Sequence, residues 1–251
     1  MRIYWLHGWA TDSHVFEPLT EKLSSLGGPE SVRLDLPGFG AESAVGSESF
    51  AGSVIRRIEG DSPLVLAGWS LGAMVALEAA AALSGRGLAL VLISGCGRFC
   101  SGSGNPHGKD PRLVAALARQ VHRDSRKAVA EFLAGMFAGD EAESRRKLFL
   151  ESYGELYSSL PAENLVRGLD YLASTDLAGR LGRISCPVLL IHGALDPVID
   201  IRLARRLAAG LNDARLVEIE GYGHAPFWRN EERLAGLVRQ FVGGLEGKET
   251  S

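Results

Sequence analysis

Gly68-Trp69-Ser70-Leu71-Gly72 sets a serine between two glycines, each two residues away. A sharp strand-to-helix turn needs that spacing if a serine hydroxyl is to stand clear at the edge of a sheet. The hydroxyl is a weak nucleophile until a base takes its proton. Such a serine therefore calls for a histidine, and the histidine for an acid that fixes its tautomer. Of the six histidines, His7 and His192 each precede a glycine at the end of an apolar run and read as structural. His14, His107 and His122 fall in loop or helical-insertion sequence and are expected to face solvent. His224 lies in the Gly-rich stretch Glu220-Gly-Tyr-Gly-His-Ala-Pro-Phe227, after the last apolar run, and is the best-placed base. Asp196, in His192-Gly-Ala-Leu-Asp-Pro-Val198, is the expected orienting acid. Asp200 is the competing carboxylate, with an alternative role as a helix N-cap. The oxyanion formed on such a serine needs preorganised N–H donors. One is expected from Leu71, at the start of the helix after the serine. The other is expected from Trp9, in Leu6-His7-Gly8-Trp9-Ala10. His7-Gly8 also reads simply as a tight turn, and the two readings are compatible.

The elements that would hold these residues follow from the hydropathy pattern. Short apolar runs at residues 3–6, 31–34, 64–67, 88–93, 188–192 and 216–219 are nearly continuous in hydrophobicity, as parallel strands covered on both faces must be. Between them, residues 16–26, 47–58, 71–83, 201–211 and 231–245 carry apolar residues at helical spacing. Strand–helix alternation of this kind predicts an α/β fold with a mostly parallel, doubly wound sheet. Loops leaving the carboxyl ends of its strands share one edge, so Ser70, Asp196, His224 and the Trp9 loop are predicted to converge there.

One stretch breaks the rhythm. Residues 98–180 contain no strand-like run but strong helical periodicity, with Val114, Leu117 and Val121 on one face of 111–122. Val129, Phe132, Leu133, Met136 and Phe137 do the same for 127–138, and weaker helices are predicted at 146–160 and 162–173. The expectation is a helical lid over 98–180, inserted before the penultimate strand of a core made of 1–97 and 181–251. The polar tail 243–251 is expected to fray.

Bulk properties narrow the classes further. A formal net charge of −3 over 251 residues offers no basic groove for nucleic acid and no polybasic membrane surface. No apolar run approaches the roughly 20 residues that span a bilayer. Three cysteines, Cys96, Cys100 and Cys186, make neither a disulfide framework nor a zinc pattern. Met1–Leu6 lacks the features of a signal peptide, so a cytoplasmic protein is the default. Asp35-Leu-Pro-Gly-Phe-Gly40 lacks the Lys-Ser/Thr of a phosphate loop and the dinucleotide fingerprint. No cofactor and no metal are expected.

With these residues in place, and with serine, aspartate and histidine in the chain order of that fold, the chain resembles the α/β-hydrolase superfamily over nearly its full length. Within it, the chain is most similar to the pimeloyl-[acyl-carrier protein] methyl ester esterases. The matching stretches are Leu6-His7-Gly8-Trp9, Leu34-Asp35-Leu36-Pro37-Gly38-Phe39-Gly40, Gly68-Trp69-Ser70-Leu71-Gly72 and Gly223-His224-Ala225-Pro226-Phe227. The resemblance implies a carboxylesterase of biotin synthesis with Ser70, Asp196 and His224 as its triad. It also implies an acyl site touching Trp9 and Leu71, and a lid helix contributing Phe132, Leu133 and Met136. The same likeness implies that basic lid residues meet an acidic acyl-carrier protein.

Two departures stand out. The family's usual N-terminal strand pair has no counterpart before His7-Gly8, so a sheet shorter by two antiparallel edge strands is expected. Glu131 replaces the family's arginine just before Phe132-Leu133-Ala134. The charge pattern still offers an acidic partner Arg123, Arg126 and Lys127, with Arg145 and Arg146 as a second cluster, though a solvated helix face explains the same pattern and Asp140, Glu141 and Glu143 oppose it. Alternatives of the same fold are a generic short-chain carboxylesterase or thioesterase, and a lyase of menaquinone synthesis. From another class, a non-catalytic ligand receptor on a hydrolase fold remains open.

Overall fold

The computed structural model describes residues 1–41, 49–58, 60, 63–83, 87–139 and 142–246. The start of the helix predicted over 47–58, the acidic pair Asp140 and Glu141, and the tail beyond 246 lie partly or wholly outside them.

Six strands form one sheet: β1 (Arg2–Leu6), β2 (Glu30–Leu34), β3 (Leu64–Trp69), β4 (Leu88–Ile93), β5 (Val188–Gly193) and β6 (Ala214–Ile219), in the order β2-β1-β3-β4-β5-β6. Every pairing is parallel. No antiparallel strand flanks β1 or β2 among the described residues, as expected for a sheet without the extra edge pair. The three central strands, β3, β4 and β5, are buried at every position, while β2 and β6 at the edges are only partly so. A strand covered on both faces tolerates no polar alternation, which is why those runs read as continuous hydrophobicity.

The strand order reverses direction at β1. The right-handed crossover rule then puts α1 (Glu17–Ser25) on the face opposite to α3 (Leu71–Leu83). Accordingly α1 packs with α9 (Glu231–Glu246), whereas α2 (Phe50–Arg57) packs with α3. α8 (Ile201–Gly210) connects β5 to β6. The loops leaving β1 and β3 diverge at this switch point and leave a crevice between their carboxyl ends.

Among the described residues, four α-helices and a 3-10 helix (Ala178–Arg183) stand between β4 and β5: the α-helices are α4 (Pro111–Arg123), α5 (Ser125–Ala134), α6 (Ala142–Ser158) and α7 (Ala162–Ser174). The second is shorter than the helix predicted over 127–138. It stops at Gly135, and the chain turns so that the Met136 carbonyl faces away from the helix and accepts the His224 amide at 2.8 Å. Two of its predicted binding residues, Leu133 and Met136, are fully buried by this turn. The segment opening the insertion is closed on itself. The Asn105 side-chain amide donates to the carbonyls of Arg98 (3.2 Å) and Cys100 (2.9 Å), and a Cβ at Gly108 would lie 2.4 Å from the Ser101 nitrogen. The predicted helix 16–26 begins instead with a 3-10 turn, Ser13–Phe16, which hands over to α1 at Glu17-Pro18, proline being suited to a first helical turn.

Candidate active site

Ser70 sits between β3 and α3 with φ at +56°, in the left-handed region. The flanking glycines explain how such a turn closes. A Cβ at Gly68 would lie 2.3 Å from the Gly72 carbonyl oxygen, and one at Gly72 would lie 2.1 Å from the Leu6 carbonyl oxygen. A larger residue at Gly68 would force β3 and the start of α3 apart, and one at Gly72 would push the elbow off β1. The strain is held in place by the Ser70 amide, which donates to the Ile93 carbonyl at 2.9 Å.

The Ser70 hydroxyl lies 2.8 Å from His224 Nε2, and His224 Nδ1 lies 2.8 Å from Asp196 Oδ2. Ser70 is 5% exposed, and the His224 and Asp196 side chains are fully buried. The other Asp196 oxygen accepts the amides of Val198 (2.8 Å) and Ile199 (2.9 Å), an Asx-type turn that fixes the carboxylate in the loop after β5. Burial works against a charged Asp196. The nearby His224 charge and hydrogen bonds from His192 and His224 outweigh it and hold the carboxyl below the usual carboxylate range. Asp200 takes the alternative role: it caps α8 through the Arg202 amide and pairs with the Arg202 guanidinium, which holds its carboxyl down at about 2.

Two residues read as merely structural, or as part of the motif only, frame this constellation. His192 Nε2 lies 3.2 Å from Asp196 Oδ2 and 2.8 Å from the Ile199 carbonyl, so it is the donor, and Nδ1 is buried without a partner among the described residues. Asp196 thus faces two histidines. Trp69, inside the elbow, donates its indole N–H to the His224 carbonyl at 2.8 Å and ties the two halves of the site together. Sequence offered no signal for either contact beyond the residue types. His7 keeps the structural role expected of it, accepting the Leu36 amide at Nε2 and donating from Nδ1 to the Gly8 carbonyl. Burial pushes its pKa down. His14, His107 and His122 are exposed.

Trp9 lines the crevice beside Ser70, and Leu71 directly follows Ser70 in the chain. Leu71 is the first residue of α3, where an amide has no intrahelical acceptor. Neither amide donates to a protein acceptor among the described residues. The Trp9 side chain is buried, donating to the Leu165 carbonyl at 2.7 Å and meeting Phe132 edge-on at 4.7 Å. Gly168 permits this approach of α7: a Cβ there would lie 2.6 Å from Trp9 Cδ1. A glycine inside a helical pattern was the available signal, and sequence reading passed over it.

A cavity of about 160 Å³ opens beside Ser70. Its wall is built by Trp9 and Val198 from the core and by α4, α5 and α7, which contribute Leu113, Val114, Leu117, Phe132, Leu169 and Leu172. Phe132 lines it as expected. Leu133 and Met136 do not, because they turn into the protein interior. Leu117 and Val114 are on the apolar face that periodicity identified, but nothing in the sequence placed that face over the serine.

The predicted basic cluster divides. Arg123 and Arg126 are exposed. Lys127 and Arg146, also exposed, lie 3.9 Å from Glu131 and Glu143. Arg145 corrects the expectation. It is 5% exposed, donates to the Gly221 carbonyl at 3.0 Å and stacks over the Tyr222 ring at 3.9 Å. Its carbonyl accepts the Trp228 indole N–H at 3.1 Å. Arg145 clamps the loop that carries His224 and presents nothing to a partner.

No group of three or more metal-ligating side chains occurs among the described residues, and no described helix is long and apolar enough to cross a membrane. All three cysteines are buried and free.

A fold with a serine elbow at a sheet edge, reached by histidine and aspartate from later loops, defines a class. The chain belongs to the alpha/beta hydrolase family, whose model matches residues 3–237. Among curated proteins it is similar to the pimeloyl-[acyl-carrier protein] methyl ester esterase of Stenotrophomonas maltophilia. Identity there is 33%, over 96% of this chain and 92% of that protein. The protein of the same name from Xanthomonas oryzae pv. oryzae is 34% identical over 96% and 94% of the two chains. Among solved structures, an esterase from Exiguobacterium antarcticum shares the fold with a TM-score of 0.86, at 22% identity over 98% of this chain and 92% of that one.

Proposed function

We propose that the protein is a serine carboxylesterase that hydrolyses pimeloyl-[acyl-carrier protein] methyl ester to methanol and the carrier-bound free acid, as a cytoplasmic step of biotin synthesis. The observation that carries the reading is the continuous hydrogen-bond chain Ser70–His224–Asp196 beside an apolar cavity into which Ser70 opens. The substrate comes from the name shared by relatives that match nearly the whole chain.

In this reading Ser70 Oγ attacks the ester carbonyl while His224 Nε2 takes its proton. The ionised Asp196 holds the imidazole in the Nδ1–H tautomer and stabilises the imidazolium. The amides of Trp9 and Leu71 receive the oxyanion. His224 then gives the proton to the departing methoxide, and methanol leaves an acyl-Ser70 ester. Water, deprotonated by His224, attacks that ester and frees the acid and the serine. Residues 98–180 act as a lid over a core of 1–97 and 181–251, packing the acyl chain against Trp9, Phe132 and Leu117. Arg123 and Arg126, both exposed, are two cations of the predicted patch that would meet an acidic carrier protein.

Methanol release from the carrier-bound methyl ester, followed with wild type and Ser70→Ala, tests the reading together with rescue of a biotin auxotroph lacking its methyl esterase. Release and growth by wild type alone are expected. Fast hydrolysis of short p-nitrophenyl esters without either result would make the protein a generic short-chain esterase.

A further inference from the structure

The cavity beside Ser70 is walled by aromatic and aliphatic side chains, and Lys109 is the one charged residue among the described residues that line it. Its backbone is pinned on both sides: the amide donates to the Phe99 carbonyl at 2.9 Å, and the carbonyl accepts the Ser101 amide at 2.8 Å. A fixed main chain lowers the entropy cost of aiming a long side chain. That side chain crosses from the start of the insertion to the loop after β5, where Nζ donates to the Pro197 carbonyl at 2.9 Å. An ammonium has three donors and no acceptor. A single carbonyl leaves donors over for a ligand. Among the described residues no carboxylate lies within ion-pair distance of Nζ, and the nearby acids Asp110 and Asp200 pair with Arg112 and Arg202.

A cation on the wall of an apolar cavity sorts acyl chains. A plain alkyl chain packing beside Lys109 strips water from the ammonium and returns nothing. A chain with a second oxygen acceptor restores the lost hydrogen bond, and sites built to hydrogen-bond a group discriminate strongly against analogues that lack it. We propose that Lys109 is a specificity-determining residue that selects acyl esters carrying a second carbonyl or carboxylate oxygen at the far end of the chain over simple alkyl esters. The inference rests on the esterase reading of Ser70 and names the acyl class that site prefers.

Three methyl esters of equal chain length test it: methyl hydrogen pimelate, with a carboxylate end; dimethyl pimelate, with a carbonyl end; and methyl heptanoate, with neither. Wild type is expected to favour the two bifunctional esters by about tenfold or more in kcat/KM. Lys109→Met should erase that preference by speeding methyl heptanoate relative to the two bifunctional esters, and Lys109→Arg, which keeps the donors, should retain most of it. Equal loss on all three esters in Lys109→Met would overturn the proposal and make Lys109 a tether between insertion and core. So would a wild type that shows no preference while still cutting methyl heptanoate. If no ester is cleaved and Ser70 does not react with a fluorophosphonate, the esterase reading itself fails, and that outcome is distinct from the other two.

Discussion

The two sides of the Ser70 crevice are built in different ways. On the sheet side, each reacting group follows a parallel strand, Ser70 and Asp196 the buried β3 and β5 and His224 the partly buried β6, and glycines hold the loops together by backbone contact: Gly72 against Leu6 and Gly193 against Gly223, where a Cβ would approach a carbonyl oxygen to 2.1 and 2.0 Å. On the insertion side, aromatic and charged side chains join backbone contacts such as that of the Met136 carbonyl with the His224 amide, and the helices differ among themselves. α6 is stapled to the histidine loop by Arg145 and by Phe149 and Tyr153 against Trp228, at ring separations of 5.3 and 5.5 Å. α4 instead lines the cavity beside Ser70 and leaves Leu113 60% exposed. The difference teaches that one insertion has two jobs. Its α6 half packs on the loop that carries His224, while its α4 and α7 half walls the cavity beside Ser70.

Substitutions on the sheet side should have the largest effects. Ser70→Ala and His224→Ala are each expected to lower kcat by about 10⁴- to 10⁶-fold, measured on any ester that wild type cleaves. Asp196→Asn should cost on the order of 10⁴-fold, because an amide cannot select the Nδ1–H tautomer. The same variant carries a pH test. The folded pKa of Asp196 lies below the unfolded value of about 3.9, so its ionisation contributes stability that is present above that value and lost as pH falls through the lowered one. The gap in stability between wild type and Asp196→Asn should therefore be widest near neutrality and narrow on acidification, in denaturant titrations at several pH values. A constant gap would mean that the depressed pKa is not what Asp196 contributes.

Arg145→Ala should fall between the two sides. It removes a charge-assisted hydrogen bond and a cation–π contact, a loss of about 1–3 kcal/mol in stability. Because the clamp acts on the loop bearing His224, kcat should drop more than KM rises. A change in KM alone would place Arg145 with the acyl wall rather than with the base. Smallest is Arg126→Glu, which should change hydrolysis of a small free ester by less than about twofold, while slowing the carrier-bound substrate in a salt-dependent way. Equal rates on carrier-bound substrate would remove Arg126 from any partner surface.

The sheet side was legible in the sequence because its constraints are local. Continuous apolar runs marked the central strands, and the glycine spacing around Ser70 marked the elbow. Their places in loops after the last two apolar runs then singled out Asp196 and His224, with chain order agreeing, and both lie within hydrogen-bond reach in the chain Ser70–His224–Asp196. The insertion side was legible only as periodicity. Helical spacing gave the apolar faces of α4 and α5 but not what they pack against, and the family resemblance placed Phe132, Leu133 and Met136 together at a cavity that Phe132 alone of the three reaches. Arg145 was misread for the same reason. A run of basic residues looks like a solvated patch until tertiary packing turns one of its members inward over Tyr222. His192 shows the converse, a histidine rightly read as structural whose contact with Asp196 could not be seen from a strand end.

Reaction with a fluorophosphonate, followed by intact mass and peptide mapping, is the most direct test that Ser70, His224 and Asp196 form a working nucleophile. One adduct on wild type, mapped to Ser70 and lost in both Ser70→Ala and His224→Ala, is the expected result. An adduct that survives Ser70→Ala, or a wild type that stays unlabelled, would contradict it.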